Sequence, residues 1–237
     1  MREIAILRFS PTEGPAYFAD WLDRRGIAWN VVPLDEGRAV PRDPTAYAGI
    51  AMMGGPMSAY DDLPWIGPLE SLLVAAVDAR VPVIGHCLGG QLLARALGAP
   101  VARAAAPEIG WLDVEVCGPY AARQWFGGRG AFTAFQWHYD AFGPPRGATR
   151  VLTSAANPEQ AYVIDDLHLG LQCHIEMTRA LTRSWLATGA RELPSSSSAS
   201  TQSAADIERD LDARIAALHA VADDVYARWA QGLRTDR

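Results

Sequence analysis

The chain has 237 residues, of which 49% are hydrophobic, so a single α/β domain over residues 1–237 is the simplest prediction. Its formal net charge of -6 at pH 7 leaves no basic surface that could displace counterions, so we expect no nucleic-acid partner. All 21 basic residues are arginines. Without lysine, Schiff-base chemistry and a Walker phosphate loop are excluded.

The cysteine count and the N-terminus bear on the cellular compartment. Three cysteines, an odd number without a disulfide-like spacing, are typical of a reducing cytosol. The first apolar run, residues 4–7, is too short for a signal sequence or a membrane span. We therefore predict a cytoplasmic protein with no membrane association. The five histidines lack ligand spacing, so we expect no metal, and nothing in the sequence calls for a cofactor.

Short apolar runs alternate with helical patterns through the first hundred residues. This alternation predicts a flavodoxin-like, doubly wound, mostly parallel sheet with helices on both faces, whose functional loops gather at the carboxyl ends of the strands. The predicted strands are residues 4–9, 28–32, 49–53 and 82–85, and the predicted crossover helices are 15–25, 69–79 and the segment after Cys87.

The second half of the chain adds further strands and a helical C-terminus. Two antiparallel additions are predicted, followed by three short strands, and the respective ranges are 111–117, 131–135, 151–154, 161–164 and 169–173. The serine-rich residues 191–203 have little to bury and predict a mobile surface loop. Apolar residues at helical spacing then predict one amphipathic helix over 204–232, packed against its own domain rather than serving dimerisation.

Cys87 lies in the sequence GHCLGGQ (85–91), between an apolar strand and a predicted helix. Glycines close to the cysteine allow a sharp strand-to-helix turn, which is the pattern of a nucleophile elbow. The helix N-terminus would favour the thiolate form of Cys87. A buried, purely structural cysteine is the alternative interpretation.

His174 and Glu176 follow a second short strand and decide between these interpretations. A cysteine nucleophile needs an imidazole to take its proton and a third group to orient that imidazole. Two residues apart in extended chain, both side chains point to the same side. His138 and Asp140 offer the same spacing after another predicted strand. Spacing alone does not choose between the two pairs.

Four segments together resemble the class I (triad) glutamine amidotransferases. The resemblance lies closest to the stand-alone bacterial members related to the amidotransferase half of GMP synthase and to plant γ-glutamyl peptidases. It implies that His174 is the catalytic base and that His138 belongs to the substrate pocket. The matching segments, in the family's order, are GGPM (54–57) as the oxyanion loop, GHCLGGQ (85–91) as the elbow, HYD (138–140) as the substrate loop and HIE (174–176).

The mechanism that follows uses Cys87 as nucleophile, His174 as base and Glu176 as the group that stabilises the imidazolium. Attack on the γ-carboxamide carbon of glutamine, or of a γ-glutamyl compound, would give a γ-glutamyl thioester that water hydrolyses. Backbone N–H groups of Gly55 and Leu88 would hold the oxyanion, because a glycine loop permits close approach and Leu88 begins a helix.

We assign further residues to substrate binding: Gly54, Gln91, Trp137, His138 and Tyr139. Gln91 lies one helical turn after the nucleophile, and the resemblance places it on the glutamyl moiety. Trp137 and Tyr139 stand where many family members have smaller residues, so they would narrow or shield the pocket. Nearby, Glu108 has no expected role beyond bracing a loop, and the side chain of His86 should point away from Cys87.

Two functions are compatible with these motifs. The first is a cysteine amidohydrolase that acts alone on glutamine or a γ-glutamyl compound. The second is a partner-dependent or non-catalytic amidotransferase subunit, which would supply ammonia to a separate synthase. Because the sequence contains no nucleotide-binding motif, a synthase activity within these 237 residues is not expected.

Overall fold

A computed structural model describes residues 2–234, so the predicted domain limits at residues 1 and 237 lie outside the described residues.

Nine strands form one sheet. The strands are β1 (Ile4–Arg8), β2 (Trp29–Pro33), β3 (Gly49–Met52), β4 (Val83–His86), β5 (Val101–Val116), β6 (Ala131–Phe142), β7 (Thr149–Thr153), β8 (Ala161–Ile164) and β9 (His168–Leu171). The α-helices are α1 (Ala16–Arg24), α2 (Ile66–Asp78), α3 (Leu88–Ala96), α4 (Tyr120–Arg123), α5 (Arg179–Thr188), α6 (Ala204–Glu208) and α7 (Leu211–Ala230).

The strand order is β2-β1-β3-β4-β9-β8-β7-β5-β6. In this spatial order, the first five strands, from β2 to β9, run parallel to one another. Each of the other four strands pairs antiparallel with its neighbour. From β1 the chain moves outward to β2, and it then returns to β3 on the opposite side of β1. The topological switch point therefore lies between β1 and β3, where ligands bind in folds of this kind.

Two hydrophobic cores cover the two faces of the sheet, as predicted. One core joins α1 to α7, where the rings of Phe18 and Tyr226 lie 4.7 Å apart and both side chains are fully buried. The other core joins α2 to α3 and contains Leu69, Leu73 and Leu92. Helices on both faces confirm the predicted doubly wound architecture and leave the carboxyl ends of the strands free for loops.

The two long antiparallel strands begin earlier or end later than predicted. β5 starts at Val101 rather than at residue 111, and β6 runs to Phe142 rather than to residue 135. Their pairing shifts between Arg103 and Glu108. The alanine-rich start of β5 contains this irregularity, so it lacks the apolar alternation from which a strand can be predicted.

The predicted C-terminal helix over 204–232 is wrong in its continuity, because the structure divides it into α6 and α7. Asp210 adopts a left-handed conformation with φ 53° between them, which Asp tolerates better than most residues. The carbonyl of Ile207 in α6 accepts a hydrogen bond of 3.1 Å from the Trp111 indole of β5. The break allows α6 to pack beneath β5 while α7 packs on α1.

The C-terminal end of the serine-rich segment is hydrogen-bonded to β5. The N–H of Ile109 donates to the carbonyl of Ser200 at 2.9 Å, and the N–H of Gln202 donates to the carbonyl of Ile109 at 2.8 Å. The hydroxyls of Ser198 and Thr201 also lie 2.9 Å apart. The mobility of this segment stays a prediction, but its final residues have defined backbone partners.

Candidate functional site

Cys87 lies between β4 and α3 in the conformation that a nucleophile elbow requires. Its φ of 47° and ψ of -107° are strained for a residue with a side chain. Its N–H donates to the carbonyl of Leu171 at 2.8 Å, which ties the elbow to β9. A Cβ on Gly85 or Gly90 would approach neighbouring backbone atoms closer than 3.0 Å. The flanking glycines therefore permit this turn.

His174 connects Cys87 to Glu176. Its Nδ1 lies 2.6 Å from Oε1 of Glu176, and Cys87 is close enough to the ring to raise its pKa. Burial opposes charge on both groups, but their ion pair keeps the pKa of His174 well above its ordinary value and the pKa of Glu176 below its own. The ring stands edge-on to the Trp185 ring, with the two ring centroids 4.8 Å apart. The backbone N–H of His174 donates to the backbone carbonyl of Phe135 at 2.8 Å. The sulfur, imidazole and carboxylate thus form one connected unit.

His86 lies behind this unit and points away from Cys87, as the strand alternation predicts. Its Nδ1 faces the carbonyl of Met52 at 3.1 Å and therefore carries the proton. Its Nε2 accepts from the Tyr226 hydroxyl at 3.2 Å and lies 4.0 Å from Oε2 of Glu176. Burial lowers the pKa of His86, so the ring stays neutral beside Glu176.

Gln172 also contacts the nucleophile, although sequence analysis did not select it. Its Nε2 donates to Sγ of Cys87 at 3.5 Å, and its Oε1 accepts from Nε2 of Gln91 at 3.3 Å. Gln91 donates in addition to the carbonyl of Asp140 at 3.0 Å. The signal was present in the sequence, because residue 172 lies two positions before His174 and alternates to the same side of the chain.

The two predicted oxyanion donors lie next to each other. Gly55 packs on Leu88, since a Cβ on Gly55 would approach Cδ2 of Leu88 to 2.7 Å. Leu88 is the first residue of α3, where an N–H has no partner within the helix. Within residues 2–234, neither N–H donates to a backbone carbonyl or a side chain. Both N–H groups are therefore without a hydrogen-bond partner in the described part of the chain.

A cavity of about 430 Å³ opens at the carboxyl ends of the strands, in the size range of small-molecule sites. Gly54, Leu88 and Glu176 are not on its wall, although Gly54 precedes a lining residue and Glu176 supports one. The cavity is lined by most of the predicted site residues, namely Gly55, Cys87, Gln91, Trp137, His138, Tyr139 and His174, and by residues that were not predicted, among them Glu13, Arg103, Trp185 and Glu192.

His138 belongs to a separate buried network. Its Nδ1 lies 3.1 Å from the backbone carbonyl of Asp140, and its Nε2 lies 3.0 Å from Oε2 of Glu108. The Asp140 carboxylate instead accepts from the hydroxyl of Ser58 at 3.1 Å. The His-x-Asp spacing at 138–140 therefore forms no imidazole–carboxylate pair, whereas the spacing at 174–176 does. Glu108, which also accepts from Ser154 at 2.7 Å, holds His138 in place.

Glu13, in the loop after β1, is a further pocket residue that the sequence analysis missed. A Cβ on Gly54 would lie closer than 3.0 Å both to Oε2 of Glu13 and to Cε1 of His174, so these two atoms are neighbours above Gly54. Burial raises the pKa of Glu13 to about 7. The charge of His174 lowers this pKa by a smaller amount, and the charge of Glu176 raises it further. Its position after β1 was a usable signal, because β1 lies beside β3 at the switch point.

Neither a metal centre nor a membrane span is found in the described residues. Across residues 2–234, no group of three or more His, Cys, Asp or Glu side chains could hold a metal ion. In the same part of the chain, no helix has the length and apolar character to cross a membrane.

Comparison with known families agrees with this geometry. Residues 18–190 match the family model described as glutamine amidotransferase class-I. The chain is also 30% identical over 174 residues to the glutamine amidotransferase-like protein YfeJ of Salmonella typhimurium, covering 70% of this chain and 72% of that protein. The chain therefore belongs to the class I glutamine amidotransferase family.

Other similar proteins define the fold and the relationship to larger enzymes. The structure matches a crystal structure of a glutamine amido transferase from Methylobacillus flagellatus with a TM-score of 0.97 and 44% identity, over 100% of this chain and 97% of that one. A glutamine amidotransferase from Thermotoga maritima shares the fold with a TM-score of 0.85. GMP synthase of Aeropyrum pernix is 32% identical over 157 residues, but the match spans only 28% of that enzyme.

Proposed function

We propose that the protein is a cysteine amidohydrolase that cleaves the γ-amide of glutamine or of a γ-glutamyl compound. The observation that carries this proposal is the connected set of Cys87, His174 and Glu176, of which Cys87 and His174 line a cavity. Family membership supports glutamine amide hydrolysis or transfer in general. The three side chains supply the nucleophile, the base and the orienting carboxylate that such chemistry requires.

In the proposed reaction, His174 holds the proton given up by Cys87, and the thiolate sulfur attacks the γ-carbonyl carbon. The oxyanion would accept hydrogen bonds from the N–H groups of Gly55 and Leu88, each worth about 3 kcal/mol of barrier. As the C–N bond breaks, His174 returns the proton to the departing nitrogen. Water then attacks the thioester and releases glutamate.

The remaining pocket residues fit the binding of the glutamyl moiety. Gln91 and His138 line the cavity and would contact the substrate, and Gly54 would shape the loop that carries Gly55. Trp137 and Tyr139 form part of the wall together with Glu192, which accepts a hydrogen bond from the Trp137 indole at 3.0 Å. This aromatic wall would shield the thioester from bulk water.

The test is incubation with glutamine, with γ-glutamyl dipeptides and with a glutamine-like alkylating inhibitor. We expect release of glutamate and covalent label on Cys87, and loss of both in Cys87→Ser. Cys173→Ser is a matched control, because Cys173 is equally buried but belongs to no catalytic assignment. Glutamate release at the wild-type rate in Cys87→Ser would refute the nucleophile.

A second candidate function is the supply of ammonia to a separate synthase. The observation in its favour is the similarity to GMP synthases, including a glutamine-hydrolysing GMP synthase component of Sulfolobus acidocaldarius that is 30% identical over 133 residues. Labelling of Cys87 without glutamate release by the isolated chain would favour this candidate. Residence in the cytoplasm stays a prediction for either function.

A further inference from the structure

Glu13 is a carboxyl group in the pocket wall for which the proposed hydrolysis has no use. Among residues 2–234, no side chain or backbone group donates a hydrogen bond to its carboxylate, and no arginine pairs with it. The charged groups that act on it are His174 and Glu176. A carboxylate that lines a cavity without a donor is free to accept hydrogen bonds from a ligand.

The position of Glu13 defines which part of a ligand it meets. Its Oε2 and the Cε1 of His174 both lie closer than 3.0 Å to the position that a Cβ on Gly54 would occupy. Nδ1 of His174 is bound to Glu176, so the ring turns Nε2 towards Cys87. Cε1 lies between the two ring nitrogens, so Glu13 faces the ring edge that includes Nε2, the nitrogen that exchanges the proton with the reacting groups.

The other polar groups at the sulfur form a different set of contacts. Gln172 and Gln91 contact Cys87, each other and the backbone of Asp140. The oxyanion already has the N–H groups of Gly55 and Leu88 as its proposed donors, so it does not require Glu13. What remains for Glu13 is the departing nitrogen, which carries N–H donors and becomes a cation when protonated.

We propose that Glu13 forms an amine subsite beside His174, which holds the nitrogen that leaves the γ-glutamyl group and also admits an acceptor amine. The protein then transfers the γ-glutamyl group to amines as well as to water. This inference rests on the proposed thioester mechanism. Its additional content is a substrate class, primary amines, and the residue that recognises it.

The transfer step is balanced without any further reactant. The amine nitrogen forms a bond to the thioester carbonyl carbon, the C–S bond breaks, and the electron pair returns to the sulfur of Cys87. The proton lost by the nitrogen passes to His174, while the carboxylate of Glu13 accepts a hydrogen bond from the remaining N–H. The step is the reverse of amide cleavage, so the same subsite serves both directions.

The experiment uses glutamine as donor and methylamine as the probe, and it measures the ratio of γ-glutamylmethylamide to glutamate. Both products come from one thioester, so a change in the rate of thioester formation cancels from the ratio. In the wild-type protein we expect the ratio to rise with methylamine and then to saturate. In Glu13→Gln we expect a ratio at least about fivefold lower at the same methylamine concentration, without saturation.

Glu115→Gln is the control, because this carboxylate lies at an exposed position on β5 and does not line the cavity. Its product ratio should change less than about twofold. Glu13→Ala provides a second variant with the same expectation as Glu13→Gln, in case the first is poorly folded. A linear, unsaturated response in the wild-type protein, or a product ratio in both Glu13 variants equal to that of the wild-type protein, would overturn the amine subsite.

The outcomes also separate this inference from the function on which it rests. If glutamate and label on Cys87 are produced but no methylamide forms at any methylamine concentration, the hydrolase stands and the amine subsite fails. If neither product forms and Cys87 takes no label, the proposed hydrolase fails and the amine subsite fails with it.

Discussion

Nε2 of Gln172 lies 3.5 Å from Sγ of Cys87, although 85 residues separate the two in the chain. The contact is held from both sides. Gln91 donates to the other end of the Gln172 amide, and the Gln172 N–H donates to the carbonyl of Gln160 at 2.8 Å. The amide hydrogens therefore face the sulfur, where they stabilise a thiolate more than a thiol.

Gln172→Leu is expected to make Cys87 a weaker nucleophile. A hydrogen bond to a charged group is worth about 1.5–3 kcal/mol, so alkylation of Cys87 at neutral pH should slow by about 10- to 100-fold. The measurement is the rate of iodoacetamide labelling at neutral pH. Gln136→Leu is the control, because Gln136 is equally buried but contacts Gln160 rather than the sulfur. An unchanged labelling rate in Gln172→Leu would exclude this role.

Replacing the acid of each His-x-acid pair is expected to lower kcat to a very different extent. Glu176→Gln removes the carboxylate that orients His174, and comparable changes in catalytic triads lower kcat by about 10³- to 10⁴-fold. Asp140→Asn should lower kcat by less than about tenfold, because the Asp140 carboxylate contacts Ser58 rather than the ring of His138. Steady-state hydrolysis of glutamine measures both variants. Equal losses would mean that the His174–Glu176 pair does not carry the chemistry.

The elbow and the His174–Glu176 pair were predictable because each depends on a short stretch of chain. A strand, a glycine-flanked cysteine and a helix follow one another within residues 81–97. His174 and Glu176 share a side by simple alternation. The strand limits were less predictable: the pairing of β5 with β6 is irregular after Arg103, and no apolar pattern marks that region.

The contacts that were not predicted from the sequence depend on which strands become neighbours. Glu108 meets His138 because β5 and β6 pair in register at these two positions. Glu13 meets His174 across loops that follow different strands. The break at Asp210 was invisible for another reason, since Ile207 and Leu211 have helical spacing whether or not the helix continues between them.

Gly54→Ala is expected to lower activity strongly with little change in the fold outside the site. Its Cβ would lie closer than 3.0 Å to Glu13 and to His174, so the ring must move. Displacement of a catalytic group by about 1 Å can cost about 10²-fold in rate, and kcat should fall by this order. Gly14→Ala is the matched control, because nothing lies within 4 Å of the corresponding Cβ. A kcat that is unchanged in Gly54→Ala would show that the ring tolerates the methyl group.

Glu108→Ala tests whether the buried pair with His138 supports the pocket. Both side chains are 1% exposed, so removal of one partner leaves an uncompensated polar group and should lower the free energy of unfolding by about 3–5 kcal/mol. KM for glutamine should rise as His138 loses its orientation. Glu115→Ala, at an exposed position on the same strand, should change stability by less than about 0.5 kcal/mol. Urea unfolding and initial rates provide the two readouts.

The raised pKa of Glu13 predicts a pH-dependent cost to stability. Burial shifts this pKa from 4.5 to about 7, so the folded protein binds more protons at Glu13 than the unfolded chain does. The contribution of Glu13 to stability is therefore most favourable below pH 4.5, and it falls as the pH rises through 7. Glu13→Gln removes this dependence.

The variant should consequently gain stability relative to the wild-type protein between pH 5 and pH 8, by about 1–3 kcal/mol in the free energy of unfolding. Chemical denaturation of both proteins at the two pH values measures the difference. Taking the difference between the proteins cancels the titrating groups that do not interact with Glu13. The His174 and Glu176 charges that face Glu13 act on its pKa, so they remain part of the measured difference. A constant difference across this range would mean that Glu13 titrates alike in the folded and unfolded chain, and the carboxyl would then have to be exposed rather than enclosed in the pocket wall.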